Sequence, residues 1–216
     1  MKSIHPLAAA LVAAAIAANG AIALADSMSD SGKDYMAMGA MHGRFGGPVY
    51  SGPPALDVTA ALVAAGGGAS NYSTATALTN MVGKDLVGQE VAKLSKQYGQ
   101  AKVTQWLKTF DFAVTDALKI ATAAGVKLPA PAPLKGKDLA VALVKAGLDK
   151  GGAFQIEYLL DKAVSHKIHV AVMNDIDKNP AFGKSADLWY HLISNQAFYD
   201  LAQALGATSV KLAPLH

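Results

Sequence analysis

Between Ala101 and Ala124 the apolar residues Val103, Leu107, Phe110, Val114, Ala117 and Ala121 recur at alternating spacings of four and three. That rhythm returns each side chain to one face of an α-helix, and a strand, with its period of two, would scatter them over both faces. The segment therefore has to be a helix with one buried seam. Gly125 stops it, and Pro129, Pro131 and Pro133 form a stiff connector that cannot continue it.

The other segments follow the same pattern. Asp57 to Ala65 is a short helix ended by Gly66-Gly67-Gly68. Ser73 or Thr74 can cap a longer one that runs to about Gln97, in which Gly83 and Gly88 either weaken the helix or mark close helix–helix approach. Lys137 to Ala146 is short, and Gly151-Gly152 separates it from a long helix over Ala153 to about Asp177. Asn179-Pro180 marks a turn, and Ser185 to Leu205 is the last helix, closed by Gly206. Strand-like alternation is nearly absent. Two pairs of long helices with short connections predict an all-α, antiparallel four-helix bundle with short extra helices.

Of the 216 residues, 52% are hydrophobic and 16% charged, enough apolar side chain for one domain with a real core. The 19 basic residues against 16 acidic ones leave only +3, spread without a dense basic stripe, which argues against nucleic acid as a partner. Cysteine is absent. Disulfides, thiolate zinc sites, iron–sulfur clusters, covalent c-type haem and lipoprotein acylation are thereby excluded.

The first segment is for targeting. Lys2 precedes an apolar run from Leu7 to Leu24, and the small residues of Ala23-Leu24-Ala25 fit peptidase cleavage between Ala25 and Asp26. An uncleaved anchor is the competing reading, because a stretch of about 20 residues can just span a bilayer. Asn19, Gly20 and the alanine content weaken that reading. No later run is long and uncharged enough to span, so the expectation is a periplasmic protein. Its signal peptide would be residues 1–25, followed by a Gly/Ser/Met-rich segment 26–55, a helical bundle domain 56–210 and a tail 211–216.

Segment 26–55 is expected to be an irregular N-terminal strap. It contains Met36, Met38, Met41 and His42, three of the seven methionines within six residues. Thioether and imidazole suit a soft metal such as copper. Adaptable methionines also fill grooves in a bundle, and packing is the stronger reading.

Two features carry a resemblance. One is Val103-Thr-Gln-Trp106 with the helix closing at Ala124-Gly-Val-Lys-Leu-Pro129. The other is Phe154-Gln-Ile-Glu-Tyr158, then Ala163-Val-Ser-His166, Val170, Met173 and Asn179-Pro180. With them, Val82 to Leu205 resembles the family of predicted outer-membrane or periplasmic ferritin-like helical domains of unknown function. The resemblance implies a ferritin-like bundle. It places His166 at the family's histidine position, with Ser165 replacing the acid, and Ala113 and Val114 where the family carries Asp-His.

A ferritin-like dinuclear site needs inward carboxylates from all four helices, with Glu-x-x-His on two of them. Only Glu90 and Glu157 are present, and Lys93 and Leu160 stand three residues on. The Ala101–Ala124 helix has no histidine, and its Asp111 and Asp116 lie beside the seam. At about 100° per residue, Glu157 and His166 fall on opposite sides of one continuous helix. On that helix Ile156, Leu159, Leu160, Ala163 and Val170 define the buried arc. Glu157, Asp161, Ser165 and His169 belong to a polar side, with His169 exposed.

The last helix stacks Asp187, His191 and Asn195 at i, i+4 and i+8, while Leu188, Trp189, Tyr190, Leu192, Ile193, Phe198, Tyr199 and Leu201 make the rest nearly apolar. Such a helix is central or covers a cavity, and its histidine needs polar partners. Nucleophilic hydrolysis has little support: Ser165 and His166 point about 100° apart, and no Gly-x-Ser-x-Gly is present. Gly83-Lys84 lacks a phosphate loop before it.

Three functions remain. The leading one is a non-enzymatic envelope bundle that binds an apolar small molecule or a protein. Trp106, Phe110, Trp189 and Phe198 would line its groove, with His166, His191 and Asn195 as a polar patch. The second is a metal binder, with iron at Glu90, Glu157, His166 and His191 or copper at the methionine strap. The third is a structural or assembly protein that packs tightly and self-associates. No cofactor is predicted under the leading reading.

Overall fold

The computed structural model describes residues 55–131, 135–148, 155–164 and 167–206, all within the unit His42–His216. The segment expected to be a signal peptide, the methionine-bearing stretch 36–42 and the tail 211–216 lie outside the described residues. Eight helices form among the described residues, and no strand. They are α1 Ala55–Ala65, α2 Thr74–Val82, α3 Lys84–Tyr98, α4 Gln100–Ala123, α5 Gly136–Leu148, α6 Ile156–Val164, α7 Lys167–Lys178 and α8 Ala186–Ala204. None of them is long and apolar enough to cross a membrane.

The seam of α4 does what its spacing requires. Val103, Phe110, Val114, Ala117 and Ala121 are all buried, and Leu107 packs against the same core. Carrying 24 residues, α4 is the element around which the others assemble: it packs on α2, α3, α6, α7 and α8. The second long helix, α8, packs on α3, α4, α5 and α7. Where α4 and α8 meet, Phe110 takes the edge of Trp106 at 6.2 Å and sits 5.6 Å from the Tyr190 ring and 5.7 Å from Phe198. Trp106 Nε1 donates to Ser194 Oγ at 2.8 Å, so the one polar atom of that indole is satisfied inside the core. Truncating Phe110 to Ala would cost about 3–5 kcal/mol, since the side chains of Trp106, Tyr190 and Phe198 are all packed against it.

Both long helices expected on either side of α4 are broken. The stretch predicted as one helix from 74 to 97 is two, because Gly83 adopts φ 95°, ψ 149°, which no helix can contain. Its amide closes α2 on Thr79 O at 3.0 Å, and its carbonyl opens α3. Ser73 Oγ caps α2 by accepting from the Thr76 amide at 3.3 Å. Asp111 of α4 accepts from the Thr74 amide, which ties the start of α2 to the central helix. Gly88 stays inside α3, and a Cβ added at either Gly83 or Gly88 would meet nothing within 4 Å. Close helix approach is therefore not what these glycines provide.

The second broken element matters more. The single helix expected over Ala153 to Asp177 is two helices, α6 and α7, packed against each other. Asp161 Oδ1 accepts from the amides of Ile168 and His169, at 2.9 and 3.0 Å. In one continuous helix those amides would bond to carbonyls four residues back. Here they are the orphan donors of a new helix, and Asp161 caps it from seven residues away.

Candidate functional site

That break builds the most polar part of the interior. Folding α7 back onto α6 lays the Tyr158 ring on the His169 ring, with centroids 4.2 Å apart and planes 16° from parallel. It also brings His169 to Glu157, which is 0% exposed, with Nδ1 3.4 Å from Oε1. From the other side, α8 supplies Tyr190, whose hydroxyl donates to Glu157 Oε2 at 3.0 Å. His191 follows it, its ring 5.9 Å from His169 and nearly perpendicular to it. Asp161 is 2% exposed and His169 6%. Side chains from three helices thus converge on one buried carboxylate.

Burial next to Glu157 pushes the hydroxyls of Tyr158 and Tyr190 far above their ordinary range, so both stay protonated. His191 is lowered, first by burial and then by the charge of His169. Its Nδ1 stands 2.6 Å from the Asp187 carbonyl, an acceptor only, so Nδ1 carries the proton in the neutral ring. Tyr158 Oη lies 3.2 Å from His169 Nε2. Which of the two atoms donates there is set by the His169 tautomer.

These positions correct the expectation that Glu157, Asp161 and His169 form a solvated face. All three are buried, whereas Ala163 and Val170, assigned to the buried arc, are exposed, Val170 at 41%. Angles counted along one helix do not carry across a break, so α7 presents a different face. Ile156, Leu159 and Leu160, on the near side of the break, are buried as expected.

The other expected site residues separate into three places. Trp106, Phe110 and Phe198 pack against one another and Tyr190 in the core. Trp189 turns away from them, half-buried. It meets the edge of Tyr98 at 6.3 Å, with Lys102 Nζ 3.4 Å above its ring, and burial lowers the Lys102 pKa. Asn195 is half-buried one turn beyond His191, and its Oδ1 has no hydrogen-bond partner among the described residues.

Glu90 belongs to the contact between α3 and α8, where it faces Asp200. Lys93 Nζ approaches Asp200 Oδ2 to 2.6 Å, and Gln196 Nε2 donates to the same oxygen at 2.9 Å. Glu90, Glu157 and His191 therefore do not assemble as one ligand set: among the described residues no three His, Cys, Asp or Glu side chains are placed to hold a metal ion. His166, Met36, Met38, Met41 and His42 lie outside the described residues.

Sequence reasoning missed His169, Tyr158 and Tyr190 as members of the site, and it read Asp161 beside Glu157 only on a polar face. The one available signal was Tyr190 beside His191 in a helix apolar on nearly every face, since such a phenol needs a buried acceptor. No family model, curated protein or solved structure matches the chain.

Proposed function

We propose that this chain is a non-enzymatic helical module of the cell envelope that works by binding a protein partner, with the half-buried Trp189, Tyr98 and Lys102 as its contact surface. The observation that carries this reading is the division of the aromatic residues. Trp106, Phe110, Tyr190 and Phe198 are spent on each other in the core, at ring separations of 5.6–6.2 Å. That packing favours a protein partner over an apolar small molecule among those rings. Trp189 and Tyr98 instead meet near the surface, joined by a cation on the indole. Trp and Tyr in such settings supply large contact area at low entropic cost and dominate binding hot spots.

The acid–imidazole pair supports the non-enzymatic part. Glu157 is held by Tyr190 and faces His169, and Tyr158 covers the His169 ring, so these groups are occupied within the fold. Export to the periplasm with cleavage after Ala25 and a ferritin-like bundle ancestry belong to the same proposal, resting on the leader pattern and on the sequence resemblance.

Photo-cross-linking in the native compartment tests it. A photoreactive residue at position 189 should trap one discrete protein partner, and the same residue at 163, exposed on α6, should not. Equal trapping at both positions, or none at 189, overturns the reading. Capture of a second copy of this chain at 189 would favour an assembly role instead.

A further inference from the structure

Local and global preference disagree between α6 and α7. The first ends at Val164 and the second begins at Lys167, and the sequence between them, Ser165-His166, holds neither Gly nor Pro. What breaks the helix is the direction of its buried sides. Ile156, Leu159 and Leu160 are buried on α6, and Ile168, Val172 and Ile176 on α7. At about 100° per residue the two sets would point about 170° apart on one continuous helix. A single core lies on one side of a helix. Within one chain, then, α6 and α7 can both pack on α4, as they do, only if the helix folds back.

The fold-back has costs at its edges. Ala163 and Val170, on either side of it, are both exposed, and Val170 at 41% is the one exposed large apolar side chain among the described residues. Seven residues apart, they would fall within about 20° of each other on a continuous helix. The amides of Ile168 and His169, which a continuous helix would bond to its own carbonyls, rely instead on Asp161 Oδ1 at 2.9 and 3.0 Å.

We propose that α6 and α7 straighten into one helix through which two copies of this chain exchange α7 and α8.

A second copy removes the disagreement. Each straight helix would carry its α6 half into one core and its α7 half into the other, on opposite sides, where the two buried sets already point. In the second copy α7 would meet α4 and α6, and α8 would meet α3, α4 and α5, through the contacts they make within one chain. The bond from Tyr190 to Glu157 and the approach of His169 to Glu157 would be kept, now between copies. The Ile168 and His169 amides would regain helical acceptors, and a twofold axis at the break would set Ala163 of one copy beside Val170 of the other. Exchange that reuses existing contacts is a low-cost route to a dimer.

The exchange is independent of the partner-binding reading. Trp189 travels with α8 and meets Tyr98 and Lys102 in either form. Cross-linking at position 189 in a Lys167→Pro background, where exchange is blocked, tests that reading alone.

Light and heavy-isotope-labelled mature chains, mixed in urea and refolded together at high concentration, decide the matter. Size-exclusion chromatography should give a monomer and a dimer. Lys93 Nζ on α3 and Asp200 Oδ2 on α8 are 2.6 Å apart, so carbodiimide coupling joins them, and mass spectrometry identifies the chains joined. In the dimer the link should connect light to heavy chains, and in the monomer it should stay within one chain. Asp161→Ala removes a cap that only the folded-back form uses and should raise the dimer association constant more than about tenfold. Lys167→Pro suits the first residue of α7 but not the interior of a continuous helix, and should lower that constant more than about 100-fold. Absence of a dimer in both wild type and Asp161→Ala, a dimer whose Lys93–Asp200 links all stay within one chain, or a dimer undiminished by Lys167→Pro overturns the exchange.

Discussion

Tyr190 donates its hydroxyl to Glu157 Oε2 at 3.0 Å, joining α8 to α6 through two fully buried side chains 33 residues apart. A hydrogen bond to a charged acceptor is worth about 1.5–3 kcal/mol, and removing the donor leaves a buried oxygen unpaired. Tyr190→Phe should therefore lower unfolding stability in urea by about 2–3 kcal/mol. Combining it with Glu157→Gln should cost clearly less than the two single losses added together, because the pair then fails as one unit. Strict additivity would show that the two side chains are not coupled.

Asp161 provides both acceptor contacts at the start of α7. Asp161→Ala should cost about 1–2 kcal/mol, the usual value of a strong helix cap, and Asp161→Asn less, since its amide oxygen can still accept. Hydrogen exchange gives the local readout: the amides of Ile168 and His169 should lose protection first. Unchanged protection there would mean that α7 starts without help from Asp161.

Ser185 sits at φ 60°, ψ 28°, a left-handed conformation unfavourable for a side-chain-bearing residue, and its hydroxyl makes no capping bond to α8. Ser185→Gly removes the steric cost without losing a capping bond and should raise stability by about 0.5–1 kcal/mol. A destabilised variant would mean that the serine side chain has a role in the turn beyond capping.

Regular local structure was legible in the sequence, and the site was not. The seam of α4 could be traced because its period lies within one helix, and Ser73 as a cap because its acceptor is three residues from its donor. Gly83 and Gly88 look alike in the sequence, but only the first takes a positive φ. The break between α6 and α7 has no Gly or Pro to announce it, and Asp161 caps a helix only once the chain has already turned. Glu157 looked solvated because its partners are 12 and 33 residues away. Trp189 and Tyr190 are neighbours in sequence, yet one reaches the surface and the other the buried carboxylate. Helical spacing assigns such a pair to adjoining faces, not to their neighbours.

The most direct test of the central claim is the composition of mature protein purified from its own compartment without added metal or chelator, by native mass spectrometry together with elemental analysis. The account predicts a chain that carries neither stoichiometric metal nor an organic small molecule, alone or with a protein partner. A bound lipid-like or aromatic compound at one per chain would contradict it and make the interior a carrier site. Stoichiometric iron or copper would contradict it equally.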